Sequence, residues 1–231
     1  MLDVQALESG YGESVILRNV TLSVRPGQCV CLLGRNGVGK TTLMKSIMGA
    51  LKARRGAVAY KGADLTRRPP GDRAKRGIGY VPQGREIFPQ LTVYENVLLG
   101  LEAGRGKRGV VPDAAVDKFP VLPTMYGRRG GDLSGGQQQQ LAFARALASE
   151  PDLLLLDEPC EGIQPSIVEE IRDVIRSIKA QGATAILLAE QSLEFVKSVG
   201  DYFYILEKGQ VAWEGGPEAL NDEVIRRYLT V

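Results

Sequence analysis

The sequence predicts an α/β fold: a mostly parallel sheet with helices on both faces, an antiparallel N-terminal β-subdomain, and an inserted helical lobe. Three observations predict it. Short apolar runs alternate with helix-period patterns, the arrangement that builds a parallel sheet through crossover connections. Before Cys29 the chain instead carries short alternating strands with no helical pattern. From about Gly84 to Arg145 the strand-like runs give way to helices and loops. The 231 residues suit one domain of this class. Core and β lobes cover 1–83 and 146–231, and the helical lobe covers 84–145.

The elements follow in order. Val4 to Leu7, Val15 to Leu17 and Val20 to Val24 read as short strands, and Pro26-Gly27 turns the chain into a buried strand, Cys29 to Leu33. A helix follows with Leu43, Ile47 and Met48 at helical spacing. Gly56 ends the next connection, Ala57 to Tyr60 resume a strand, and Pro69-Pro70-Gly71 breaks the chain. Ile78 to Val81 is a strand closing at Pro82-Gln83. In the helical lobe, Val93 to Leu101 is a helix, Glu102 to Pro112 a Gly/Arg/Lys-rich loop, and Ala114 to Phe119 and Leu122 to Tyr126 shorter helical pieces. The helix after Gly135 carries Leu141, Ala144 and Ala148 on one face. Leu153 to Leu156 is a short buried strand. Pro165 opens a helix with an Ile167, Ile171, Val174, Ile175 and Ile178 stripe, which Gly182 closes. Ala183 to Leu188 is a further strand, Tyr202 to Trp213 a hairpin turning at Lys208-Gly209, and Asp222 to Leu229 a terminal helix.

Composition narrows the function. A net charge of +2 gives no global footprint for nucleic acid. The basic clusters at Arg67-Arg68, Arg73 to Arg76, Arg105 to Arg108 and Arg128-Arg129 read as solvated loops. No apolar stretch approaches the roughly 18 residues that span a bilayer, and the N-terminus lacks the basic flank of a signal peptide. Three cysteines make no disulfide framework; Cys29 and Cys31 share one strand face and read as buried packing. The chain has no histidine, which removes imidazole acid/base chemistry and His metal sites.

Two glycine-rich loops carry the chemistry. Gly34-Arg35-Asn36-Gly37-Val38-Gly39-Lys40-Thr41-Thr42 lies between an apolar strand and a helix, the context that makes a P-loop and the core a P-loop NTPase fold. Its glycines let backbone N–H groups approach phosphate at a helix N-terminus. Lys40 supplies a point charge to the β/γ oxygens, and the Thr41 hydroxyl is a Mg²⁺ ligand. Asp157 ends the Leu153 to Leu156 strand, where α/β folds place ligand-binding groups, and can hold Mg²⁺. Glu158, beside it, is the candidate to orient or deprotonate an attacking water. Leu133-Ser134-Gly135-Gly136-Gln137 offers a serine N-cap and glycine N–H groups, a second anion site at a helix start.

Together these residues resemble the ATPase subunits of ABC transporters, over essentially the whole chain. The resemblance implies that Ser134, Gly135, Gly136 and Gln137 of one subunit close on the γ-phosphate bound by another, in a head-to-tail dimer holding two ATP and Mg²⁺. It implies that Gln83 touches Mg²⁺ or water and senses a membrane permease, and that Tyr11 stacks on adenine. It further implies peripheral attachment at the cytoplasmic face of the membrane, an identical or sister ATPase subunit, an indirectly coupled periplasmic solute-binding protein, and no nucleic acid. Val81-Pro82-Gln83-Gly84-Arg85-Glu86-Ile87-Phe88, Arg129 to Leu133 and Glu161-Gly162-Ile163-Gln164-Pro165 are most similar to the branched-chain amino acid and urea importer branch, above all a urea-importer ATP-binding subunit. A lipid or lipopolysaccharide exporter ATPase is the alternative. A soluble DNA-repair or translation ATPase would carry a coiled-coil insertion or a tandem domain, and neither is in the sequence. Two positions depart from the family pattern. Gln191 stands where a switch histidine is usual; an amide still donates to a γ-phosphate but carries no charge. Cys160 replaces the usual threonine and reads as packing.

Overall fold

The computed structural model describes residues 1–104 and 110–229. Two sheets organise it. The first is antiparallel, formed by β1 (Leu2–Tyr11), β2 (Ser14–Val24), β4 (Ala53–Tyr60) and β5 (Ala63–Asp64) in the order β2-β1-β4-β5. The second has six strands: β3 (Cys29–Leu33), β6 (Ile78–Val81), β7 (Leu153–Asp157), β8 (Ala185–Glu190), β9 (Tyr202–Glu207) and β10 (Gln210–Gly215). Their order is β10-β9-β3-β8-β7-β6, parallel except for the β9–β10 hairpin.

A strand covered on both faces needs apolar side chains on both, and β3 shows it. Cys29, Cys31 and Leu33 enter the core shared with the helices α3 (Val93–Gly100), α5 (Gly135–Leu147), α6 (Pro165–Gln181) and α7 (Leu193–Val199). Val30 and Leu32 enter the opposite core with α1 (Lys40–Met48) and the antiparallel sheet. The α6 stripe buries Ile171, Val174, Ile175 and Ile178; Pro165 sits in its first turn, and Gly182 caps it at φ 68°.

Several elements differ from expectation. Gly56 does not end a connection: β4 runs through it at φ 81°, where a Cβ would lie 2.4 Å from the Ala6 carbonyl, at an irregularity in the β1–β4 register. Pro70 opens α2 (Pro70–Lys75) rather than only breaking the chain, since its missing N–H is surplus in a first helical turn. Leu122 to Tyr126 includes only a 3₁₀ turn at Pro123–Met125. The helical piece expected at Ala114 to Phe119 is the shorter α4 (Asp113–Val116), the expected terminal helix is α8 (Asp222–Tyr228), and the seven-residue α7, which the pattern did not predict, follows β8. The middle of the predicted Glu102 to Pro112 loop, residues 105–109 with the basic cluster Arg105 to Arg108, lies outside the described residues. Among the described residues no helix is long and apolar enough to cross a membrane.

Candidate functional site

Strand order builds the site. β3, β8, β7 and β6 are consecutive and parallel, so their carboxyl ends meet at one sheet edge. That edge carries the loop before α1, then Gln191, then Asp157-Glu158, then Gln83. Gly34, Gly37 and Gly39 take φ 157°, 78° and 112°, and Gly39 is the left-handed N-cap of α1. A Cβ on Gly34 would lie 2.6 Å from the Leu206 carbonyl, so only glycine lets the loop leave the sheet this closely. Val38 accepts through its carbonyl from Gly209 N–H at 3.1 Å, tying the loop to the β9–β10 turn.

Tyr11, Asn36, Gly37, Gly39, Lys40, Thr41, Thr42, Gln83 and Glu158 line a cavity of about 280 Å³. Lys40 is buried, and its Nζ donates to the carbonyls of Gly34 at 2.7 Å and Arg35 at 3.1 Å. The same ammonium meets Glu158 Oε1 at 2.9 Å. Thr41 Oγ1 lies 3.1 Å from Gln83 Oε1 and 3.2 Å from Asp157 Oδ1, three oxygens converging on one point. Asp157 is fully buried, and its hydrogen-bond partners are two hydroxyls, those of Thr41 and Tyr80. Burial pushes its carboxyl up to about 6, against the opposing pull of those two hydrogen bonds. A buried carboxylate hydrogen-bonded by the hydroxyls of Thr41 and Tyr80, with Gln83 Oε1 beside Thr41 Oγ1, fits an oxygen-ligated divalent cation.

Glu158 adopts φ 47°, an unusual conformation for a residue with a side chain. Its N–H donates to the Ala189 carbonyl at 2.9 Å, fixing the turn after β7 against the end of β8. Its Oε2 accepts from Gln83 Nε2 at 3.3 Å and from Gln191 Nε2 at 3.2 Å. Gln191 Nε2 also donates to Asn36 Oδ1 at 2.6 Å. Tyr11 stands at the end of β1 with about half its surface exposed, 48%. The structure therefore brings together Tyr11, the loop from Gly34 to Thr42, Gln83, Asp157, Glu158 and Gln191.

It does not bring Ser134, Gly135, Gly136 and Gln137 into that cavity. They line a separate one of about 820 Å³ with Gly162, Ile163, Gln164 and α6. Ser134 caps α5 in a reciprocal box: its Oγ accepts from Gln137 N–H at 3.3 Å, and Gln137 Oε1 accepts from Ser134 N–H at 3.0 Å. A Cβ on Gly136 would sit 2.8 Å from Ile167, so the helix start packs closely.

Sequence reasoning missed two site neighbours. Tyr80 donates its hydroxyl to Asp157 Oδ2 at 3.2 Å, and burial followed by the Asp157 charge pushes that phenol well above its usual range. Glu161 Oε2 accepts from Gln83 Nε2 at 2.9 Å. The alternation of Ile78 to Val81 could have flagged Tyr80 as pointing away from Gly79, but nothing in the sequence aims it at Asp157. Cys160 is half-buried with its thiol pushed well up, first by burial and then by the Glu190 carboxylate.

Against known proteins, residues 17–161 match the ABC transporter family model. The chain belongs to the ABC transporter family. It is an ATP-binding, ATP-hydrolysing subunit of that family. It is 36% identical over 232 residues to a high-affinity branched-chain amino acid transport ATP-binding protein of Pseudomonas aeruginosa, covering 99% of each chain. It is 34% identical to a lipopolysaccharide export ATP-binding protein of Haemophilus influenzae, covering 99% of this chain and 97% of that one. A solved dimeric ATP-binding cassette in a post-hydrolysis state with ADP and Pi superposes with a TM-score of 0.81 at 26% identity, covering 94% of this chain and 99% of the other.

Proposed function

We propose that the chain is the ATPase subunit of an importer for a small polar solute, hydrolysing ATP between two such subunits beneath a membrane permease. The observation that supports this best is the convergence of Lys40, Thr41, Gln83, Asp157 and Glu158 at one sheet edge. The triphosphate lies along the backbone N–H groups of Gly37 to Thr41, with Tyr11 stacking on the adenine. Lys40 turns from loop carbonyls to phosphate oxygens. Thr41, Gln83 and Asp157 would hold Mg²⁺, which would offset the negative charge of the phosphate oxygens.

Glu158 accepts a proton from water as the water oxygen bonds the γ-phosphorus in line. The bond from that phosphorus to the β,γ-bridging oxygen breaks, giving ADP and phosphate. Gln83 and Gln191 both donate to Oε2 of Glu158 and so hold its carboxylate. Ser134 and Gly136 of a second subunit close the cage from the opposite face. The separation of the two loops into different cavities of one chain supports that arrangement. The subunit sits peripherally at the cytoplasmic face, with Gln83 and the helical lobe passing closure to the permease.

The named activity of the Pseudomonas relative supports a branched-chain amino acid as solute. The sequence motifs add urea as a second candidate solute. The lipopolysaccharide-export relative is the reason to keep an exporter as a second reading. Lys40→Ala tests the enzymatic part: hydrolysis of Mg·ATP should vanish, and wild-type turnover in that variant would refute the site. The transport part is tested in vesicles holding the co-purifying permease. Stimulation by a binding protein loaded with leucine or urea supports import, and co-purification of a lipopolysaccharide permease supports export.

A further inference from the structure

Glu190 ends β8 and is buried, 5% exposed, yet neither loop of the phosphate site contains it. Its carboxylate collects three backbone N–H groups from two different turns. Oε1 accepts from Cys160 N–H at 3.1 Å. Oε2 accepts from Gln191 N–H at 2.7 Å and from Ser192 N–H at 3.3 Å. Cys160 lies two residues past Glu158, on the turn after β7, and Gln191 begins the turn after β8. One carboxylate therefore staples the two turns whose side chains, Glu158 and Gln191, meet at 3.2 Å.

The chemistry of the staple needs a carboxylate. Three donors converge on it, and an ionised carboxyl is acceptor-only on both oxygens. Glutamine would turn an –NH₂ toward one turn's N–H groups and release that side. Asn36 completes the arrangement from the phosphate loop by accepting from Gln191 Nε2 at 2.6 Å. The Gln191 backbone is fixed by Glu190 and its amide by Asn36.

We propose that Glu190 is a positioning residue for hydrolysis, setting Gln191 so that its amide holds the Glu158 carboxylate toward the attacking water. The inference rests on the functional reading above and adds a residue that touches neither nucleotide nor metal. Its hold on the Glu158 side chain passes through Gln191, so that contribution should depend on Gln191 being present, whereas its bond to Cys160 N–H only steadies the turn after β7.

A double-mutant cycle on the full chain tests it, with steady-state hydrolysis of Mg·ATP and nucleotide affinity as readouts. Glu190→Gln should lower kcat about tenfold, the lower end of what loss of an orienting outer partner costs, and change KM and nucleotide Kd less than about threefold. In a Gln191→Ala background the same substitution should change kcat less than about twofold, because its target is gone. A kcat within twofold of wild type for Glu190→Gln overturns the inference. So does an equal loss with and without Gln191, which would place the effect on the turn after β7 or on the fold instead of on Gln191. Should Glu190→Gln fail to fold, the cycle with Glu190→Asp, which keeps the charge but shortens the reach, is judged by the same criterion. Wild-type protein without Mg·ATP hydrolysis would instead strike at the functional reading, a distinguishable failure.

Discussion

Arg73 is the sharpest stability test of how α1, the helix carrying Lys40 and Thr41, is held. Its guanidinium is buried and donates to four backbone carbonyls: Ser46 at 3.0 Å, Ile47 at 2.6 Å, Arg68 at 2.9 Å and Thr66 at 3.1 Å. Two of those acceptors belong to the last turn of α1, whose carbonyls lie past the regular helical ladder; that of Ser46 also accepts from the Gly49 N–H at 3.1 Å. A cation at a helix C-terminus is also favoured by the helix dipole. Arg73→Met keeps most of the stem's volume and removes every donor, which separates hydrogen bonding from cavity formation. A net hydrogen bond to a charged group contributes about 1.5–3 kcal/mol. The four share one side chain and do not add, so a loss of about 3–5 kcal/mol is expected, as for other broken buried charge networks. For a domain of this size each kcal/mol moves Tm by about 2–4 °C, giving a fall of roughly 6–20 °C. Thermal unfolding followed by circular dichroism, without nucleotide so that ligand binding does not mask the change, measures it. Arg73→Lys, with one compact donor group, should fall between. A drop below about 3 °C for Arg73→Met would refute the claim that this guanidinium anchors α1.

Other outcomes follow from the phosphate site. Gln191→Ala should lower turnover about tenfold, while Glu158→Gln should lower it by at least the ~10²–10⁴ expected for loss of a general base; equal losses would discard the view that the amide only assists. Tyr11→Ala should weaken nucleotide binding by about 1–3 kcal/mol, fivefold or more, with ATP and GTP affected alike because every base has a stacking face. Tyr11→Phe should be near neutral by the same titration, and a loss in Tyr11→Phe would point to a hydrogen bond in place of stacking.

What was legible in the sequence was mostly local. The run Cys29 to Leu33 followed by a glycine loop is a strand, turn and helix in any tertiary context, and the structure keeps it as β3 and α1. The α6 stripe was equally plain, because seventeen residues repeat the helical period several times. α7 was not, since its seven residues give barely two turns and the pattern has no room to repeat. Gly56 and Pro70 misled for a common reason: each is a breaker in the middle of an element but is suited to a bulge or a first turn. The adjacency of Gln83, Asp157 and Gln191 depends on strand order, and parallel crossovers hide that order from the sequence. The same is true of Tyr80 and Glu190, whose partners lie 77 and 30 residues away.

In the proposed mechanism one triphosphate is caged by two protomers, each giving one loop. Light scattering behind size-exclusion chromatography of Glu158→Gln, with and without Mg·ATP, tests it most directly. A shift from monomer to dimer is expected on adding Mg·ATP, lost again in a Ser134→Arg partner variant. A chain that stays monomeric with Mg·ATP, alone and mixed with each candidate sister subunit, would contradict it.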